Sequence, residues 1–217
     1  MSKSLSRGFT LVELLIVIAL LGVIATIVIA AINPIEQANK ARDAKFEADS
    51  SQMISAIERY YASNSQFPWM AVTPATYTSA DISFPFTTAT NDNVGLCGTS
   101  GCTSQPYGVL ISSDELKNEF LSRDFITDTS GDVTKKLWIG KAQGSSSSVY
   151  GCFVPEAQAT RNTAIKNGKV VYSATAFGTT PVSAFSATGT PSYTTTQCQT
   201  AADTNWGTGN CVVCIPQ

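Results

Sequence analysis

The sequence contains no histidine. That absence removes histidine general bases, Ser-His-Asp and Cys-His nucleophile systems, and histidine-ligated zinc in one step. Only carboxylate, lysine or thiol chemistry is left. An excess of positive charge is missing too. Lys and Arg number 14 against 16 Asp and Glu, giving a net charge of −2 and a pI near 5.1. With no basic surface to neutralise phosphates, no nucleic-acid partner is expected. Cysteine is absent from the first 96 residues, and all six lie from Cys97 onward. An even number confined to one end of the chain fits disulfides made in an oxidising compartment.

What is present begins with a long apolar run. Leu14 to Ile32 is nineteen residues without a charge, and Thr26 carries the only polar side chain among them. As a helix it covers roughly 28 Å, close to a hydrocarbon core of about 30 Å. Glu13 stands at the edge of this run. A charge in such a core costs about 2.5–3.5 kcal/mol at its centre and less near an end. The acid therefore either meets a positive partner or reaches out to the headgroups. Residues 1–8, MSKSLSRG, form a polar leader carrying Lys3 and Arg7. Positive charge beside a span predicts a cytoplasmic N-terminus and an exported C-terminal part.

From Ile35 to about Tyr61 charges return without a helix breaker other than Pro34. Glu36/Lys40 and Lys45/Asp49 are spaced i,i+4, and Phe46, Met53, Ile57 and Tyr60 make one apolar stripe. The pattern predicts one helix from Phe9 to Tyr61, apolar over 9–32 and amphipathic over 33–61, kinked at Pro34. "SNSQFP" (Ser63–Pro68) ends it.

The remainder, 62–217, changes in character. Of its 156 residues, 42 are Ser or Thr and 18 are charged, so short β-branched runs stand out. Tyr107–Ile111, Lys136–Ile139, Val149–Val154, Val170–Tyr172 and Cys211–Ile215 are each bounded by turn residues and predict antiparallel strands. "KNGK" (Lys166–Lys169) suggests a tight hairpin turn, and Ser112–Leu121 a short helix capped by Ser112 or Ser113. Ser145–Ser148 suggests a loop. The fold class is therefore α+β, a long N-terminal helix packed on a C-terminal antiparallel sheet.

"GFTLVELLIVIALLG" carries a specific signal: Gly8, Phe9, and Glu13 four residues on, ahead of the apolar run. This resembles the N-terminus of type IV prepilins and pseudopilins. The resemblance implies cleavage between Gly8 and Phe9 by a prepilin peptidase, then methylation of the new Phe9 amine. The mature chain would leave the inner membrane, through an assembly machinery, for a helical filament of its own copies and related pilins. That filament would be extracellular or periplasmic, and Glu13 would pair with the Phe9 amine of a neighbouring subunit. The implied role is structural, with no cofactor and no catalytic residue. One departure stands out: many family members carry a proline about four positions before Pro34, where this chain has Ala30.

The cysteines allow several readings. "CGTSGC" (Cys97–Cys102) is a flexible C-x₄-C loop easily closed by a disulfide. "CVVC" (Cys211–Cys214) has redox or zinc spacing, but two valines favour a strand, where positions i and i+3 lie roughly 10 Å apart. On a strand they would bond to different partners, with Cys152 and Cys198 the two left. The resemblance supports a structural disulfide, since many pilins staple their C-terminal region. The alternative is a membrane-anchored binding or thiol-redox domain. Acidic loops at Thr90–Gly95 and Asp128–Asp132 offer oxygen ligands, yet neither matches the calcium-loop pattern, and turn chemistry explains both.

Overall fold

The computed structural model describes residues 8–31, 33–71, 77–97, 108–172, 193, 198–207 and 210–216. Two compact units divide the chain, Met1–Ala38 and Asn39–Gln217.

The helical stretch is two elements rather than one kinked helix. Helix α1 covers Leu11–Ala31 and α2 covers Pro34–Asn64. Asn33 and Pro34 explain the restart. The Asn33 side-chain oxygen accepts the Glu36 N–H at 3.2 Å, and the Asn33 carbonyl accepts the Gln37 N–H at 3.2 Å. Asn33 is thus an N-cap, and Pro34 fills the first helical position, where a missing N–H is not needed. At the other end Ser65 takes a left-handed conformation (φ 54°) and its N–H donates to the Tyr61 carbonyl at 2.7 Å.

Within the second unit, five strands form an antiparallel sheet in the order β1-β2-β3-β5-β4. They are β1 Phe84–Thr88, β2 Leu137–Lys141, β3 Val149–Phe153, β4 Val170–Tyr172 and β5 Cys211–Ile215. The apolar stripe of α2 packs with this sheet. Phe46, Met53, Ile57 and Tyr60 share a buried cluster with Leu137, Ile139, Val149 and Phe153. Contact is closest at Ser50 and Gly151: a Cβ on Gly151 would lie 1.9 Å from the Ser50 Oγ. The opposite face of the sheet is buried too, around Phe86, Trp138, Cys152, Val171, Val212 and Cys214.

Three sequence expectations need correction. The described part of the Tyr107–Ile111 run is a single helical turn, α3 (Val109–Ser112), in which Leu110 and Ile111 are both buried. Adjacent strand residues face opposite sides, so a helical turn suits two neighbouring core residues better. Ser112 ends that turn, its hydroxyl donating back to the Val109 carbonyl at 3.2 Å, and does not begin a helix. The next turns are a 3₁₀ segment at Asn118–Ser122, begun at Lys117, and α4 at Asp124–Thr127. "KNGK" is not a hairpin: it closes helix α5 (Gln158–Lys166) and feeds β4. Strand β1 escapes sequence reading because Pro85 interrupts its pattern. An edge strand tolerates proline, and the β1–β2 pairing is irregular between Phe84 and Thr87.

Two acids on the buried face of α2 are also unannounced by periodicity. Asp43 accepts the Glu156 N–H at 2.9 Å and the Ala157 N–H at 3.0 Å, so α2 caps the start of α5, whose own N-cap residue, Ala157, supplies no side-chain bond. Arg42 spans the same junction, ion-paired to Asp43 at 3.2 Å and bonded to the Thr134 and Val154 carbonyls. Asp49 pairs with Arg123 at 3.4 Å. Burial is the largest influence on both carboxyls and raises them above the ordinary 3.8, against the donors and cations that lower them.

Two outcomes follow from this packing. Ser50 Oγ is buried with no hydrogen-bond partner among the described residues, so Ser50→Ala is expected to raise stability by about 1 kcal/mol in urea unfolding. Gly151→Ala should cost about 1–3 kcal/mol and be partly rescued by Ser50→Gly. The second concerns pH. Asp49 binds its proton more tightly folded than unfolded, so its contribution is full below 3.8 and is lost as pH rises through the raised folded value. Wild type should therefore lose stability relative to Asp49→Asn as pH rises above 3.8; a relative gain would contradict the assignment.

Candidate functional site

The candidate site is the start of α1. Gly8, Phe9 and Thr10 precede the helix and all three are exposed. Thr10 is its N-cap. The Thr10 hydroxyl accepts the Glu13 N–H at 3.2 Å, and the Glu13 Oε2 accepts the Thr10 N–H at 3.0 Å and the Thr10 hydroxyl at 2.8 Å. This is a reciprocal capping box, and each partner satisfies a backbone donor that the first helical turn leaves open. Sequence reasoning saw Glu13 as an acid without a local partner. The T-x-x-E spacing was the signal that would have found one.

Among the described residues, the Glu13 carboxylate bonds through Oε2 to Thr10, whose hydroxyl in turn accepts the Glu13 N–H. The carboxylate is held at the mouth of the helix, where the macrodipole favours negative charge. Because Thr10 rather than Phe9 provides these bonds, a cut between Gly8 and Phe9 leaves the box whole. The Phe9 side chain is 82% exposed.

The rest of α1 has no polar face to offer. Every large side chain from Leu11 to Ile29 is exposed, and the least exposed, Val17, still shows 46% of its surface. Thr26 hides its hydroxyl by donating to the Val23 carbonyl at 2.8 Å. The segment Leu11–Ile29 is long and apolar enough to cross a membrane. A helix that is hydrophobic all round is stable only when surrounded by lipid or by other apolar helices.

The cysteines lie in the second unit. Cys214 of β5 bonds to Cys152, its direct cross-strand neighbour on β3, and Cys211 bonds to Cys198. Cys97 is disulfide-bonded as well, while Cys102 lies outside the described residues. Because β5 is a strand, Cys211 and Cys214 point to opposite faces and join different partners. A redox pair within CVVC is therefore ruled out, and so is a zinc site built from Cys152, Cys198, Cys211 and Cys214.

Both acidic loops are turns. Asp128 accepts from the Ser130 hydroxyl at 2.8 Å and from Lys136 at 3.2 Å, and these contacts hold its carboxyl below the ordinary range. Asp132 accepts the Thr134 N–H at 2.9 Å, and Asn91 accepts the Asn93 N–H at 3.0 Å. Lysine already occupies the position a cation would take at Asp128.

Comparison with known proteins agrees with the N-terminal geometry. The prokaryotic N-terminal methylation motif matches residues 3–29. Type II secretion system core protein G of Klebsiella michiganensis is 34% identical over 68 residues, which are 31% of this chain and 46% of that protein. The chain therefore spans about half the length of this curated relative. No solved structure matches it.

The pairing of the cysteines can be checked one bond at a time. Thiol titration with peptide mapping should find Cys198 free in Cys211→Ala and Cys152 free in Cys214→Ala. Loss of the Cys152–Cys214 bond should lower unfolding stability by about 2–4 kcal/mol.

Proposed function

From a chain with the prepilin-type N-terminus of type IV pilins and pseudopilins, we propose a filament subunit that is cut between Gly8 and Phe9 and methylated on the Phe9 amine. The role is structural: the only chemistry is done to the chain, by a prepilin peptidase. The observation that carries this reading is the exposed, wholly apolar α1 with Glu13 boxed at its first turn. Such a helix suits a bilayer before assembly and a bundle of identical helices afterwards. Both environments bury it, so transfer between them exposes little apolar surface to water.

Glu13 then sets register. Cleavage creates an ammonium at Phe9, and a neighbouring subunit can bring its own to the Glu13 carboxylate. Two opposite charges about 4 Å apart attract by roughly 4 kcal/mol at an effective dielectric of 20. Packing among Leu, Val and Ile is non-directional, so this pair supplies the directional contact. The leader faces the cytoplasm and the Ser/Thr-rich unit is exported, which suits its disulfides.

Among filament systems, similarity to a type II secretion system core protein favours a secretion-type pseudopilin over a surface pilus. Mass spectrometry of the mature N-terminus is the direct test. A chain beginning at methylated Phe9 is expected; an intact Met1, or a cut near Ala30 or Ala31, would overturn the proposal. Glu13→Ala should abolish or strongly impair filaments while the disulfide-bonded unit stays folded by circular dichroism. Normal filaments would remove the assigned role.

A further inference from the structure

Beside the C-terminal half of α2 lies a cleft of about 200 Å³, lined by Glu58, Tyr61, Phe67, Val149 and the loop Ser145–Ser148. The loop is rigidly placed. Lys141 is fully buried at the end of β2, and its ammonium donates to the carbonyls of Ala80, Ala142 (2.9 Å) and Gly144. Asp81 holds the same loop, accepting the Gly144 N–H at 2.9 Å and the Ser145 N–H at 3.0 Å. Ser147 is tied back to the Gln143 carbonyl, whereas the side chains of Glu58, Ser146 and Ser148 and the Tyr61 hydroxyl have no hydrogen-bond or ion-pair partner among the described residues. Tyr61 stacks on the buried Phe67 with centroids 4.3 Å apart, Phe67 in turn stacks on Trp69 at 4.6 Å, and the Tyr61 ring lines the cleft as its aromatic wall.

We propose that this cleft binds a single neutral sugar ring, such as the terminal hexose of a glycan. The aromatic wall takes the apolar C–H face of the ring, the Glu58 carboxylate accepts from two neighbouring hydroxyls, and the Ser146 and Ser148 hydroxyls both donate and accept. The volume suits one sugar ring, with the rest of a glycan left outside the cleft, and is far larger than an ammonium needs. An exposed carboxylate also gains little from an ammonium in salt. No Lys or Arg is among the residues lining the cleft, so an anionic sugar is disfavoured beside Glu58. A pinned loop adds little ordering cost on binding.

The test is saturation-transfer NMR on the full chain in zwitterionic, sugar-free micelles. The probes are the methyl glycosides of glucose, galactose, mannose and N-acetylglucosamine. At least one should bind saturably. Glu58→Ala should weaken it about tenfold or more, and Ser146→Leu, which fills the cleft, should abolish it. Glu58 is exposed and unpartnered, so the Tm of Glu58→Ala should match wild type and separate lost binding from lost folding. No saturable binding by any probe, binding unchanged in either variant, or binding of Nα-acetyl-lysine methylamide in place of the sugars would overturn the proposal.

Discussion

An α-helix apolar on every side has no stable place in water, and that constraint shapes the whole chain. Nothing on α1 can pack inward while leaving a polar face outward, so it must be enclosed by something outside itself. The second unit meets the opposite condition. From Asn39 onward α2 is two-faced, and its buried side closes a sheet that would otherwise present Leu137, Ile139, Val149 and Phe153 to solvent. Asn33 and Pro34 mark where the rule changes. A capped restart gives α2 its own first turn, with its open N–H groups met by Asn33 rather than by a continuing helix.

Capping chemistry recurs at three places and links these parts to function. Thr10 and Glu13 close the first turn of α1, Asn33 closes that of α2, and Asp43 reaches from α2 to the start of α5. The first matters most for the proposed filament. A free carboxylate at the edge of a bilayer is a liability, whereas one that accepts from Thr10 is partly satisfied before any neighbour arrives. The third is a tertiary contact made with a buried acid. It fixes α5, and with it the β4 side of the sheet, to the helix.

Much of this was legible in the sequence. Phe46, Met53, Ile57 and Tyr60 repeat at helical spacing, and all are buried; β2, β3, β4 and β5 fall on the β-branched runs. Other features were not. Asp43 and Asp49 share the stripe's face, but a polar residue at a core position gives no periodic signal; only its partners explain it. Pro85 hid β1, because an edge strand is the one place where proline does not break a ladder. Tyr107–Ile111 looked like a strand, since its three successive apolar residues, Val109–Ile111, do not distinguish the two periods.

The sequence by itself determined the N-terminal segment: an apolar run behind Gly8 and Phe9, and a T-x-x-E spacing that closes its first turn. Those features depend on residues within four positions of each other, so local chemistry suffices. Only the tertiary structure decided which of the candidate cysteines met, which acids were buried, and that the serine loop after β2 faces Tyr61 and Glu58. These join residues from 13 to more than a hundred positions apart in the chain, brought together by the sheet order and by how closely α2 approaches Gly151.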